Sequence, residues 1–337
     1  MDSFKRFHRL RKNKNLRELV SETRLSISDF VLPYFICEGE NKKIPIDSMP
    51  GIFRFSVDKL KEEIKNTFYD YGIKAYLFFG AVEKSDSNNI NQNAFSENGV
   101  VQRAIREIKK IIPDSVLIAD VCLCNYKYDG HCCFFKNNES LEIDNDRTID
   151  VLSKIALSYA KAGVDIVAPS AMMDGQVKKI REVLNKNNFQ NVAIMSYSAK
   201  YASSFYGPFR EAANSGFKFG DRKSYQMDYR NSNEALREVE SDIKEGADIV
   251  MIKPALSYLD IIYRVKQEFN IPVAAYNVSG EYSMIKAASS KGYLDEKEAV
   301  LEILTGIKRA GADIIISYWA KDLSKWLEDK NNVWKTF

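Results

Sequence analysis

The chain has 337 residues, of which 45% are hydrophobic and 28% are charged, as expected for a globular protein whose core needs no disulfides. Its formal net charge of +3 is too small to indicate nucleic-acid binding, and no apolar run reaches the ~18 residues of a membrane span. Residues 1–11 are basic but are not followed by the apolar core of a signal peptide, so we expect a cytoplasmic protein.

Eight short apolar runs recur along the chain, and helical stretches separate them. The runs are rich in Val, Ile and aromatic residues and lack polar alternation, which is typical of strands buried on both faces. They cover residues 30–37, 75–79, 116–122, 164–168, 192–197, 249–252, 272–278 and 314–318. Between them, the helical spacing of apolar residues is clearest over 147–161 and 234–245.

The alternation of strands and helices predicts an α/β fold, a (β/α)8 TIM barrel over residues 29–337 with an extended N-terminal arm over residues 1–28. A doubly wound open sheet is the alternative, but it commonly has fewer strands. Gly163, Gly246 and Gly311 each follow a helical stretch and precede Ala-Asp or Val-Asp. This recurrence is a weak internal repeat, with glycine at each helix end because it tolerates positive φ.

Four of the five cysteines lie within twelve residues that begin at the end of the third run, at Cys122, Cys124, Cys132 and Cys133. In an extended segment Cys122 and Cys124 point to one side, and Gly130 permits a tight return that brings Cys132 back. Three thiolates would hold a zinc ion and leave its fourth position open, as in catalytic sites. Buried structural cysteines are the alternative.

Histidine is scarce, since the chain contains only His8 and His131. A Ser-His-Asp hydrolase or a multi-histidine metal centre would need one or both of them. Because His8 lies in the basic N-terminal stretch, the histidine count argues against most mechanisms of these kinds.

Two lysines, Lys200 and Lys253, follow the fifth and sixth apolar runs. A lysine at the mouth of a buried strand is poorly solvated, which favours its neutral amine, and a second ammonium nearby lowers its pKa further. A neutral amine can attack a ketone and form a Schiff base. Most lysines near strand ends are solvated, but in a barrel both of these would lie at the catalytic face, on adjacent strands.

A long, glycine-interrupted segment separates the fifth and sixth runs, and such segments are commonly binding loops. Arg210 and Arg222 in this segment could clamp a substrate carboxylate through paired hydrogen bonds. Ser279 and Tyr318, near the ends of the seventh and eighth runs, could bind a second carboxylate. Surface salt bridges are the usual alternative for arginine.

Several of these stretches together resemble the porphobilinogen synthase family, also called δ-aminolevulinic acid dehydratases. The resemblance extends from about residue 9 to about residue 319. Its most specific parts are Met195–Arg210 and Gly220–Met227, supported by residues 19–25, 48–51, 253–255, 258–260 and 278–282.

The resemblance implies a hydro-lyase of tetrapyrrole (heme) biosynthesis that condenses two molecules of 5-aminolevulinate into porphobilinogen with loss of two waters. It assigns Schiff bases to Lys253, for the substrate that becomes the propionate side, and to Lys200, for the acetate-side substrate. It assigns an active-site zinc to Cys122, Cys124 and Cys132, where the metal acts as a Lewis acid.

The resemblance also assigns substrate-binding and regulatory positions. It assigns binding of the acetate-side carboxylate to Arg210, Arg222 and Gln226. It assigns binding of the other carboxylate to Ser279 and Tyr318. Glu238 matches a glutamate that binds an allosteric magnesium in many bacterial members, although an ordinary helix-surface glutamate is the alternative. The family forms homo-octamers in which the N-terminal arm embraces a neighbour, which gives residues 1–28 a role in subunit contacts.

The chain departs from the family pattern in two places. In the cysteine loop, Lys127, Asp129 and Cys133 replace a threonine, a histidine and a glycine, but the three thiols remain. Further on, Ala171 and Gln176 replace an aspartate and an arginine. Because two opposite charges are lost together, we expect the two changes to compensate each other.

Two other functions remain open from the residues alone. A class I aldolase on the same barrel would use one Schiff-base lysine and would need neither the three cysteines nor the second lysine. A non-catalytic zinc-binding assembly protein derived from such an enzyme would have no need to keep both lysines.

Overall fold

A computed structural model describes residues 4–82, 92–136 and 142–328. Its eight parallel barrel strands are β1 Phe30–Ile36, β2 Ala75–Gly80, β3 Val116–Val121, β4 Ile166–Pro169, β5 Ala193–Lys200, β6 Ile249–Lys253, β7 Val273–Asn277 and β8 Ile314–Ser317. Each strand pairs with the next, and β8 pairs with β1 through Phe30↔Ile315 and Val31↔Ile316. This closure confirms the TIM barrel and excludes the open sheet.

Helices surround the barrel. They are α1 Lys14–Leu19, α2 Val57–Tyr69, α3 Val100–Ile111, α4 Asn145–Ala162, α5 Gln176–Lys186, α6 Gly207–Ala212, α7 Asn233–Glu245, α8 Leu259–Glu268, α9 Ser279–Ser290, α10 Glu296–Ala310 and α11 Ala320–Glu328. The two helices predicted over 147–161 and 234–245 are α4 and α7. Among the described residues, every helix is too short or too polar to cross a membrane.

Two short antiparallel pairs accompany the barrel. Lys43–Pro45 pairs with Phe53–Phe55, which also extends the sheet beside β1. Phe134–Phe135 pairs with Ile143–Asp144 just after the cysteine cluster. Both pairs lie in connections that follow barrel strands, so they shape the carboxyl-terminal face, where the predicted site residues are found.

The strands form where the apolar runs predict them because both of their faces are covered. Every residue of β1 and of β7 is buried, between the barrel interior and the surrounding helices. The fifth strand is longer than predicted, since it continues past Tyr197 and ends at Lys200. Lys200 is therefore part of the strand rather than of the loop after it.

The Gly-Ala/Val-Asp repeat has a structural role at the amino-terminal ends of the barrel strands. Its three glycines end α4, α7 and α10 with φ of 98°, 103° and 119°, a region that other residues rarely adopt. Asp165, Asp248 and Asp313 each accept a hydrogen bond from a backbone N–H at or beside the start of the preceding strand, and each pairs with a basic residue of an adjacent helix. The repeat thus ties each strand to the previous strand and helix.

Replacing Asp313 with alanine is expected to lower the free energy of unfolding by about 1–3 kcal/mol, because the Val273 N–H loses its acceptor. The Asp313 carboxylate accepts from Val273 N at 2.8 Å and from Lys266 Nζ at 2.7 Å. Denaturant unfolding measures the change. The exposed Glu240, paired with Lys244 on α7, provides the control, since Glu240→Ala should change stability by less than about 0.5 kcal/mol. Equal effects of the two variants would contradict the structural role of the repeat.

The N-terminal segment lies outside the hydrophobic core until it approaches β1. Phe4, Phe7 and Leu19 are exposed by 69%, 72% and 74%, whereas Leu25 and Ile27 pack against the core. A short helix over Phe7–Arg11 and α1 occupy this segment. The division at residue 28 and the role in subunit contacts stay predictions.

Candidate active site

Lys200 and Lys253 are the last residues of the neighbouring strands β5 and β6. They are register partners in the strand pair, so their backbones lie about 4.8 Å apart. Only 5% of Lys200 and 4% of Lys253 is exposed. The barrel therefore brings two buried amines together at the carboxyl ends of its strands, where TIM-barrel enzymes have their active sites.

The amine of Lys253 is enclosed by aromatic rings. Its Nζ lies 4.3–5.2 Å from the ring centroids of Tyr197, Tyr206, Phe209 and Tyr276. Burial and the positive charge of Lys200 lower the pKa of Lys253 to about 7. A large fraction of this amine is therefore neutral near neutral pH and can act as a nucleophile.

The surroundings of Lys200 are more polar. Its Nζ donates a hydrogen bond to the backbone oxygen of Ser170 at 2.5 Å and lies 5.5 Å from the ring centroid of Tyr197. The two amines therefore differ in environment, since Lys200 has a carbonyl partner while Lys253 faces mainly rings.

Asp120 on β3 is not among the site residues that the sequence predicts. Burial raises the pKa of Asp120 to about 6, although Lys200, a hydrogen bond with Ser170 and Lys253 act in the opposite direction. A carboxyl group with such a pKa beside two amines can take up and release protons. The sequence contained one feature that could have identified Asp120, since it is a single carboxylate inside an apolar run, two residues before Cys122.

The thiols of Cys122, Cys124 and Cys132 form a buried cluster. Their sulfur atoms all lie within 4.8 Å of one another, and those of Cys122 and Cys124 are 3.3 Å apart. Gly130, with φ of 71°, provides the return of the chain that the sequence predicts. Hydrogen bonds from the other two thiols hold the pKa of Cys132 well below its ordinary value. The cluster could hold a metal ion.

Cys133 and His131 are buried beside this cluster but do not belong to it. The Cys133 sulfur is not among the three ligand atoms that lie within 4.8 Å of one another. The ring nitrogens of His131 contact the Tyr225 hydroxyl at 3.1 Å and the Phe219 backbone oxygen at 2.9 Å. His131 therefore links two loops, and the group that could hold a metal ion consists of the three thiols.

Two departures from the family pattern contact each other in the cysteine loop. Lys127, which is 4% exposed, forms an ion pair with Asp129 at 2.9 Å and donates to the backbone oxygen of Cys133. The two changes thus supply opposite charges to one interaction that holds the loop. At the other place of departure, Ala171 is buried, and the Gln176 side chain accepts a hydrogen bond from the Met173 N–H at 3.4 Å.

Arg210, Arg222 and Gln226 supply three buried donors that have no acceptor among the described residues. The atoms are Arg210 Nε, Arg222 Nε and Gln226 Nε2. Both guanidinium groups lie over the Phe217 ring, with Cζ 4.7 Å and 5.8 Å from its centroid. Burial and the charge of Arg222 lower the pKa of Arg210. Buried donors without a partner are costly, and an anion would satisfy them.

The segment that carries these donors is bound to the cysteine loop. Lys218 N donates to Asp129 O at 3.0 Å, and Arg222 Nη2 donates to Gly130 O at 2.8 Å. Tyr225, through its contact with His131, adds a third connection. The unpartnered donors and the thiol cluster therefore form one structural unit.

Ser279 and Tyr318 follow the lysine pair in the chain, and they lie just after β7 and β8. The Tyr318 hydroxyl is 3.0 Å from the hydroxyl of Tyr276, whose ring lies beside Lys253 Nζ. The Ser279 hydroxyl donates to Phe205 O at 3.3 Å and accepts from Phe209 N at 3.0 Å. Both hydroxyls thus contact residues in or next to the aromatic enclosure of Lys253.

Glu238 lies on α7, outside the groups described so far. Burial, with Asp242 and Asp174 nearby, raises the pKa of Glu238 to about 7. Asp242, one turn later, accepts a hydrogen bond from the Ser196 hydroxyl on β5 at 2.7 Å. Within the described residues, the three cysteines are the only group of three or more potential ligands close enough to share one ion, so Glu238 belongs to no such group.

The chain matches known proteins over nearly its whole length. A family model described as delta-aminolevulinic acid dehydratase matches residues 4–326. The delta-aminolevulinic acid dehydratase of Bacillus subtilis (strain 168) is 53% identical over 327 residues, which are 97% of this chain and 99% of that protein. That of Methanothermus sociabilis is 55% identical over 320 residues, 95% of this chain and 98% of that protein.

A solved structure shows the same similarity in three dimensions. It is the crystal structure of delta-aminolevulinic acid dehydratase (porphobilinogen synthase) from Toxoplasma gondii ME49 in complex with the reaction product porphobilinogen. The two structures match with a TM-score of 0.94 at 43% identity, over 100% of this chain and 95% of that one. The chain belongs to the delta-aminolevulinic acid dehydratase family.

Proposed function

We propose that the chain is a porphobilinogen synthase, which joins two molecules of 5-aminolevulinate into one porphobilinogen and releases two waters. The observation that carries the proposal is the pairing of Lys200 and Lys253 at the ends of adjacent strands, buried and in register. Two amines at one catalytic face suit a reaction that activates two ketones. Family membership argues against both the aldolase and the non-catalytic assembly protein.

Each lysine acts on one substrate. A neutral amine attacks the substrate ketone and forms a Schiff base with loss of water, and the lysine is released again as the product ring closes. Lys253 binds the substrate that becomes the propionate side, and its low pKa supports this role. Lys200 binds the acetate-side substrate, and Asp120 accepts or donates protons beside both amines.

The thiol cluster fits zinc, because three buried cysteine sulfurs are a donor set that zinc prefers and leave one position open. When bound, the ion supplies Lewis acidity at this side of the site. Cys122, Cys124 and Cys132 are its ligands. Arg222, one of the donors assigned to the acetate-side carboxylate, is bonded to the cysteine loop through Gly130 O, which supports placing the zinc beside the acetate-side substrate.

The substrate carboxylates are bound by two sets of residues. Arg210, Arg222 and Gln226 bind the acetate-side carboxylate, supported by their unpartnered buried donors. Ser279 and Tyr318 bind the propionate-side carboxylate, supported by their contacts in and beside the enclosure of Lys253.

Replacing Arg210 with alanine is expected to raise KM for 5-aminolevulinate about 10- to 100-fold, because a hydrogen bond to a charged group contributes about 1.5–3 kcal/mol. Arg210 is the sharper choice, since Arg222 also holds the cysteine loop through Gly130. Arg230→Ala is the control, because that exposed arginine pairs with Asp228. Steady-state kinetics measures KM for both variants. A KM of the Arg210 variant that is no higher than the KM of the control would contradict the assignment.

Glu238 is proposed to bind a regulatory magnesium. Its half-buried carboxylate, with two other carboxylates near it, is suited to a hard cation that retains several waters. Magnesium titration of activity tests the assignment. Activation should occur in the native protein and be lost in Glu238→Gln, and equal activation of both would contradict it.

The oligomer is proposed to be a homo-octamer in which residues 1–28 contact a neighbouring subunit. The exposed apolar side chains of Phe4, Phe7 and Leu19 support a covering partner. Light scattering of the full chain and of a chain lacking residues 1–24 tests this, because it gives the number of subunits in each assembly. The same number of subunits in both would contradict the role of the N-terminal residues. The cytoplasmic location stays a prediction, which cell fractionation would test.

Turnover tests the proposed activity as a whole. The purified protein, supplied with zinc and with magnesium varied separately, should consume two molecules of 5-aminolevulinate for each porphobilinogen formed. Folded, zinc-loaded protein that forms no porphobilinogen would contradict the proposal.

A further inference from the structure

Glu281 is a buried carboxylate that the proposed reaction does not use. It is 1% exposed and lies in the first turn of α9. Oε1 accepts a hydrogen bond from Leu256 N at 2.8 Å, and Oε2 accepts from Val278 N and from Asn277 Nδ2, both at 2.9 Å. These partners are all neutral, and burying a carboxylate among neutral groups is costly unless its hydrogen bonds are well made.

Capping of α9 alone does not account for these contacts. A glutamate at this third position of a helix completes the cap with the single hydrogen bond from the backbone N–H of the N-cap residue Val278. The bond to Leu256 instead reaches the segment after β6, and the bond to Asn277 reaches the last residue of β7. Glu281 therefore joins two neighbouring strand ends.

The hydrogen-bond chain continues to the next strand. Asn277 Oδ1 accepts from the Ser317 hydroxyl at 3.0 Å, and the Ser317 oxygen accepts from Trp319 N at 3.2 Å. Ser317 is the last residue of β8. One buried chain of hydrogen bonds thus runs across the carboxyl ends of β6, β7 and β8.

Each of the three connected segments carries one residue of the propionate side of the site. Lys253 is three residues before Leu256, Ser279 is two residues before Glu281, and Tyr318 lies between Ser317 and Trp319. An enzyme gains rate when the groups that bind and attack a substrate are held in fixed relative positions. The hydrogen-bond chain is placed to hold these three groups.

We propose that Glu281 is a positioning residue that fixes the segment of Lys253 relative to Ser279 and Tyr318. The inference rests on the proposed function, because it concerns the Schiff base of Lys253. Glu281 itself touches neither substrate nor reacting atoms. Its removal should slow the reaction of Lys253 and leave the thiol cluster, which follows β3 rather than β7, unchanged.

The test compares Glu281→Ala and Glu281→Gln with Asp295→Ala. Asp295 caps the neighbouring helix α10 by accepting from Glu298 N at 2.9 Å, so its removal controls for the loss of a helix cap. Reduction with borohydride in the presence of 5-aminolevulinate traps the Schiff base, and peptide mapping by mass spectrometry gives the rate at Lys253. Zinc content is measured on the same samples.

Both Glu281 variants should form the Lys253 adduct at least tenfold more slowly than the native protein and Asp295→Ala, at unchanged zinc content. If the alanine variant does not fold, the nearly isosteric E281Q still tests the proposal. In the double variant E281Q/N277D the amide and the carboxylate exchange places, and this variant should recover at least threefold in rate over E281Q.

Trapping in the Glu281 variants within twofold of Asp295→Ala would overturn the positioning role. A parallel loss of zinc and of trapping would also overturn it, since it would show a general loss of structure. Absence of any adduct in the native protein would contradict the proposed function itself. This outcome is distinguishable from failure of the positioning role, because it is observed in the native protein and needs no variant.

Discussion

Replacing Lys253 with methionine is expected to lower kcat for porphobilinogen formation by a factor on the order of 10⁴ or more, because the attacking amine is removed. Methionine has a similar length and suits the aromatic surroundings of this position. Because a buried polar amine is replaced by an apolar side chain, the fold should lose no stability. Loss of activity without loss of stability distinguishes a nucleophile from a structural residue.

Activity and thermal unfolding of the Lys253 variant are measured together with those of Lys223→Met. Lys223 is exposed and lies in the same long segment as the arginines. The control should retain its activity within about twofold, because an exposed lysine contributes little. A Lys253→Met protein that keeps more than about a hundredth of the native kcat would contradict covalent catalysis by this residue.

The pH dependence of trapping at Lys253 follows from its pKa of about 7. The rate should rise as the pH increases to this value and level off above it, since the neutral amine reacts. Burial, the charge of Lys200, and the opposing charges of Asp120, Cys124 and Cys122 set this pKa. Lys200→Met removes a positive neighbour, so the rise should move to higher pH. A shift to lower pH would show that the two amines are not coupled as described.

Replacing Cys124 with serine is expected to remove most of the bound zinc and to lower activity by a factor on the order of 10² to 10³. A hydroxyl is a poor substitute for a thiolate ligand, and a metal-ion Lewis acid contributes several kcal/mol. Cys124 lies in the cluster whose sulfur atoms are within 4.8 Å of one another. The variant should also bind added zinc more weakly than the native protein.

Cys133→Ser is the matched control for this variant, because Cys133 is equally buried, is adjacent to Cys132 and lies outside the cluster. Metal analysis after dialysis and the zinc dependence of turnover measure both variants. Full zinc content in Cys124→Ser, or equal zinc loss in the two variants, would contradict the assignment of the three ligands. Full activity of native protein after verified metal removal would show that zinc is not essential.

The strands were predictable because both of their faces are buried, so each one appears in the sequence as a continuous apolar run. The same reasoning places Lys200 and Lys253 at strand ends. Their register as direct neighbours needed the structure, since pairing depends on contacts far apart in the chain. The closure of β8 onto β1, which excludes an open sheet, is also a long-range property.

Contacts between distant polar residues were beyond sequence reasoning. Asp120 stands in an apolar run, and its proximity to both lysines depends on strands that follow much later. Lys127 and Asp129 replace two family residues, and only the structure shows that they pair with each other. Glu281 stands in a stretch that carries the family resemblance, but its contacts with Leu256 and Asn277 join segments that the sequence separates.

Borohydride trapping in the native protein shows whether Lys253 forms a Schiff base with 5-aminolevulinate. The folded, zinc-loaded protein is reduced in the presence of substrate, and the modified peptide is identified by mass spectrometry. We expect an adduct on Lys253 that forms only when the substrate is present. Absence of an adduct there, or modification confined to lysines outside the barrel strands, would contradict it.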